Sequence, residues 1–212
     1  MDFTNMINND LGPGVVRSAD GTPFKPLTWR QAITGACTLF ELNINQDELK
    51  DMAERATIPF GPEHPESTEA LRREWFGFVH AGIIYALMGK APDKAITGYI
   101  SCTRDLLAQF GNYDAAAADN FIDNTLNKYM ELLLQREQRQ CPKRLLEAVV
   151  GPDYTNTLDN NKIAFISGMM AITLCNILDT LERYTFLPDE DTNETSGAGE
   201  AAASPQKPEA SA

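Results

Sequence analysis

The chain has 212 residues, 43% of them hydrophobic and 23% charged, a composition that excludes disorder throughout and leaves enough length to bury a core. Its formal net charge of −12 and pI near 4.6 argue against nonspecific nucleic-acid binding, because affinity for phosphate backbones is supplied by Lys and Arg. A basic or neutral protein surface fits such a chain better.

Residues 1–26 carry Gly12, Pro13, Gly14, Gly21, Pro23 and Pro26 among polar residues, a density of breakers that predicts a loosely ordered arm. No Lys or Arg precedes Arg17 and no apolar run follows it, so the segment lacks both parts of a secretory signal and the expected compartment is the cytoplasm. The helical domain is expected over 27–187. Thr28 with Gln31 forms a capping box that opens a first helix to about Leu42, and Asn45 with Glu48 repeats the pattern for a short helix to about Ala56. Pro59, Gly61, Pro62 and Pro65 then impose a turn-rich connection, with His64 as a loop residue between two prolines.

The third helix is expected over about 68–89, started by the acidic "PESTE" and stopped at Gly89 before Pro92. A fourth runs from Asp93 to Phe110 and stops at Gly111. Residues 114–140 read as one amphipathic helix, with Ala118, Ile122, Leu126, Tyr129 and Leu133 at three- and four-residue spacing, and Pro142 ends or kinks it. A short piece around Arg144 to Val149 follows, then the turn cluster "GPDYTNTLDNN", then a last helix over about 162–186. No alternating strand of useful length is evident. The fold class is therefore all-α, a compact bundle of six to seven helices.

From Pro188 onward the six acidic residues and one Lys account for −5, leaving −7 on residues 1–187. Almost no large apolar side chain occurs in 188–212, so a disordered acidic C-terminal tail is expected.

Two uncharged runs dominate the domain: fifteen residues from Trp75 to Gly89 and sixteen from Ile163 to Leu178. Both fall short of the roughly 20 residues that span a bilayer core as a helix, and charges flank each, so both are expected as central core helices. Gly77, Gly82 and Gly168 each cost roughly 1 kcal/mol against Ala inside a helix, which suits positions where backbones approach closely. Gly82 and Gly168 are expected at a crossing of the two runs, and Trp75, Gly77, Phe78, Gly82, Gly168 and Met169 are the packing and interface candidates. A domain this small hardly covers two such helices, so part of their surface is expected to meet a protein partner or another subunit in a homo-oligomer.

Chemistry is sparse. His80, inside the first run, reads as a core histidine with one hydrogen bond, the alternative being a general base with a shifted pKa. Cys37, Cys102, Cys141 and Cys175 fall singly, with no C-x-x-C spacing, and read as reduced thiols. Arg136, Arg139, Lys143 and Arg144 form a basic cluster, the candidate site for a phosphate or an acidic segment. Asp119 and Asp123 share a helix face, and "DELKD" places Asp47, Glu48 and Asp51 on another. These five carboxylates resemble the paired acidic motifs of the all-α nucleotide pyrophosphohydrolases, with aspartates replacing glutamates and no second acidic pair on the first helix. That resemblance implies Mg²⁺ held beside a polyphosphate, whereas a solvated acidic face implies no cofactor.

The leading expectation is a cytoplasmic helical interaction or assembly protein, an adaptor or acidic chaperone acting through apolar helix surface. It is more in keeping with this sequence than an enzyme, since no nucleophile or phosphate-loop motif occurs. A Mg²⁺-dependent pyrophosphohydrolase-like enzyme is the first alternative. A membrane-active protein inserting the two apolar helices is the second.

Overall fold

The computed structural model describes residues 25–188. The arm before Lys25 and the acidic segment after Pro188 lie outside the described residues, and with them the expectations made for both. The described chain is an all-α bundle: α1 Trp29–Asn43, α2 Gln46–Ala56, α3 Pro65–Met88, α4 Asp93–Gly111, α5 Ala115–Phe121, a π-helical turn Ile122–Leu126, α6 Asn127–Leu134, a 3-10 turn Gln138–Gln140, α7 Cys141–Val149, the single turn α8 Tyr154–Thr157, and α9 Asn160–Glu182.

Local chemistry starts the first helices as the sequence predicts. Thr28 N donates to Gln31 Oε1 at 3.0 Å while Gln31 N donates to Thr28 Oγ1 at 3.3 Å, closing the capping box of α1. Asn45 Oδ1 accepts from Asp47 N at 2.8 Å, so α2 is capped by Asn45 without a return bond from Glu48. Asn112, at φ 56°, takes the left-handed position after α4, one residue beyond the glycine expected to stop it; Asn tolerates that conformation.

α3 is the hub. It packs against α1, α4, α6, α7, α9 and the π turn, and every residue from Glu74 to Ile84 is buried. An uncharged run with neighbours all around is what such burial requires. Trp75 lies in the core with Nε1 donating to the Asn43 carbonyl at 2.8 Å, which satisfies the indole and ties α3 to the end of α1.

Three expectations are corrected. The helix expected over 114–140 is interrupted by the π turn and ends at Leu134, with Arg136 left-handed at φ 61°. Phe121, Thr125, Tyr129 and Leu133 are all buried, and a four-residue repeat drifts about 40° per step on an α-helix of 3.6 residues per turn. The wider π turn absorbs that drift and keeps all four side chains inward. Pro142 does not end this helix; it sits in the first turn of α7, where its missing N–H removes no helical bond. The last helix stops at Glu182, and Tyr184–Phe186 forms a strand (β2) that pairs in parallel with Lys25–Leu27 (β1), Pro26 standing opposite Thr185. Two three-residue strands are too short to leave an alternating pattern.

The glycines also sort differently. A Cβ on Gly82 would stand 3.2 Å from Leu174 Cδ1 and 3.4 Å from Ile177 Cδ1, so Gly82 does meet α9. A Cβ on Gly77 would stand 2.5 Å from Thr125 Cγ2, so Gly77 meets the π turn and not α9. Gly168 meets nothing within 4 Å. It is not at the crossing, because α9 buries only Ile166, Met170, Thr173, Leu174, Ile177 and Leu181 and Gly168 lies on the opposite side.

Candidate functional site

His80 on α3 is fully buried, its Nδ1 2.8 Å from the Tyr99 hydroxyl of α4 and its ring stacked on Phe40 at 3.8 Å between centroids. Burial lowers its pKa to about 3, so the imidazole is neutral across the physiological range. Tyr99 is itself pushed well above its ordinary value, chiefly by burial and then by Cys37 and Cys102 beside it. A base sealed under Phe40, Tyr99 and Phe121 has no route to a substrate proton. The group acts as a polar tie between α3 and α4.

A second buried polar group joins α3 to the C-terminal half of the bundle. Glu74 is 2% exposed and faces Arg144 Nε at 3.3 Å and Arg73 Nε at 3.5 Å. Arg144 also donates from Nη2 to the Asn124 carbonyl of the π turn at 2.9 Å and stands over the Tyr129 ring. The widened turn thus has one carbonyl satisfied by the same guanidinium that neutralises Glu74.

This arrangement decides the basic cluster. Arg144 is committed to Glu74, and Lys143 pairs with Glu147 at 3.8 Å. Arg136 and Arg139 are exposed and have no ion-pair partner among the described residues. The four cations do not converge on one anion. The acidic candidates fare similarly. Asp119 accepts from Arg104 Nε at 2.8 Å, while Asp123, Asp47, Glu48 and Asp51 are exposed. Among the described residues no group of three or more His, Cys, Asp or Glu is placed to hold a metal ion, so the five carboxylates do not form the facing pairs a Mg²⁺ site needs.

What stands out is surface. α9 is the one helix among the described residues long and apolar enough to cross a membrane, with a mean hydropathy of 1.6, yet only 28% of that stretch is buried. Ile172 is 59% exposed, flanked by exposed Ala171 and Cys175. Beside it runs a groove of about 360 Å³ whose lining includes Phe78, Arg139, Pro142, Ala171 and Leu178. A second groove of about 460 Å³ shares Leu178 and continues to Leu134 and Met88, which are 54% and 49% exposed. Of the packing candidates, Trp75, Gly77, Phe78 and Gly82 lie in the core, and Met169 and Gly168 are half-buried on α9. Sequence reasoning missed Ile172, Leu178, Leu134 and Met88. Only the length of the uncharged runs hinted at Ile172, Leu178 and Met88, since a helix apolar all round does not mark which side faces out, and Leu134 at the end of α6 carried no such signal.

Compared with known proteins, the chain matches no family model, no curated protein and no solved structure.

Proposed function

We propose that this is a helical interaction protein of the cytoplasm that binds another protein chain through the outer face of α9 and the grooves beside it. The observation that carries this reading is the exposure of Ile172, Ala171 and Cys175 on a helix with no charge from Ile163 to Leu178. Water against such a face is unfavourable, and contiguous apolar patches on otherwise polar proteins mark binding surfaces. Free thiols at all four cysteines suit a reducing compartment.

Insertion of α9 into a membrane is a second reading, favoured by its length and hydropathy. It would require extracting Ile166, Met170, Leu174 and Ile177 from the core, which a protein partner does not. The test is capture from the source cell with the tagged full chain. Partners retained by wild type and lost with Ile172→Glu, at unchanged circular dichroism, support the protein reading. Flotation of the chain with phosphatidylcholine vesicles, abolished by the same substitution, would replace it.

A further inference from the structure

We propose that the α9 face receives a second copy of this chain, the two α9 helices packing antiparallel across a two-fold axis; this rests on the interaction-surface reading above. The face is self-complementary in charge. At its N-terminal end the exposed Arg55 of α2 stands over the Phe165 ring, 5.8 Å from guanidinium carbon to centroid, and has no acidic partner among the described residues. Lys162, at the same end, is engaged by Asp159 of its own helix start at 3.5 Å. At the C-terminal end Asp179 is exposed with no ion-pair partner among the described residues, whereas Glu182, one turn on, faces Lys90 at 3.8 Å.

Antiparallel pairing centred between Ala171 and Ile172 sets Ala164 of each copy opposite Asp179 of the other, next to Phe165 and Arg55. Both charged ends are matched at once, and each favourable contact occurs twice, as a two-fold interface requires. The helix dipoles oppose each other. Parallel pairing would instead bring Asp179 onto Asp179 and Arg55 onto Arg55. Near the centre the exposed Ala171 and the open space at Gly168 let the backbones approach, and Ile172 of each copy is covered. A foreign partner would have to reproduce both ends of this pattern, whereas a second copy supplies them by symmetry.

Sedimentation equilibrium of the full chain tests this. The expected result is a dimer that Ala171→Glu converts to monomer. Arg55→Glu and Asp179→Arg should each weaken association by about tenfold or more, and the combined charge reversal should restore it to within a few-fold of wild type. All three positions are exposed, so unchanged circular dichroism is expected of every variant. Wild type monomeric at all concentrations, a dimer indifferent to Ala171→Glu, or a double variant no tighter than the single ones would each overturn the proposal. A monomeric wild type that still captures another protein dependent on Ile172 removes the dimer and leaves the interaction surface standing. A monomer with no such capture defeats both.

Discussion

Arg144 on α7 holds its Nε 3.3 Å from Oε2 of Glu74 on α3, a carboxylate whose side chain is 3% exposed. A charge so deep is tolerable only while it is paired, since an uncompensated buried ion carries its full desolvation cost. Arg144→Met should destabilise the chain by about 3 kcal/mol, the low end for breaking a buried pair, because Arg73 still faces the other oxygen at 3.5 Å. Adding Glu74→Gln should recover part of the loss. Urea titration of the two single variants and the double variant measures the coupling; additive losses would show that the pair is not energetically linked.

Gly77 and Gly35 separate two roles that glycine plays inside a helix. A methyl on Gly77 would press on Thr125 Cγ2 at 2.5 Å, whereas Gly35 on α1 has nothing within 4 Å. Gly77→Ala should therefore cost about 1–3 kcal/mol through overpacking. By contrast, Gly35→Ala should gain up to about 1 kcal/mol from helix propensity. Denaturation midpoints of opposite sign are expected from the same chemical change.

His80 sets a pH dependence. Its pKa falls to about 3 in the folded chain from an ordinary value of 6.5, so the unfolded chain binds the proton first as pH drops. The stability this burial permits is complete above pH 6.5 and is lost as pH falls toward 3, amounting to roughly 3 kcal/mol between pH 7 and pH 4. In His80→Gln, which keeps a polar group near Tyr99, urea titrations at pH 7, 5.5 and 4 should show a shallower decline by about that amount. Parallel declines would mean that His80 does not titrate on unfolding.

Asp119 and Arg104 form a solvent-exposed pair, with side chains 53% and 63% exposed, and such pairs contribute less than about 1 kcal/mol. Asp119→Asn should leave the melting temperature nearly unchanged. MgCl₂ should move wild type no more than NaCl of equal ionic strength. A Mg²⁺-specific stabilisation lost in Asp119→Asn would restore the carboxylates as a metal site and the hydrolase alternative with it.

The sequence by itself determined the helices. Capping at Thr28 and Asn45, the breakers from Pro59 to Pro65 and the uncharged runs are local signals, and local hydrogen bonding and side-chain entropy place the ends of α1 and α2 within a residue or so of expectation. It also marked α3 and α9 as the helices with the most apolar surface to bury, with fifteen and sixteen uncharged residues in a row. Tertiary structure alone decided the rest. Arg144 reads as one of four surface cations until α7 is laid against α3, where Glu74 claims it. The π turn exists because Gly77 and the repeat from Phe121 to Leu133 must face each other at short range, a demand that comes from the partner helix. The two uncharged runs are nearly alike in composition, yet α3 is enclosed by six neighbouring segments and α9 lies at the edge with Ile172 in water. Apolar composition measures the free energy available from burial; which side of a helix is buried depends on where the other helices pack.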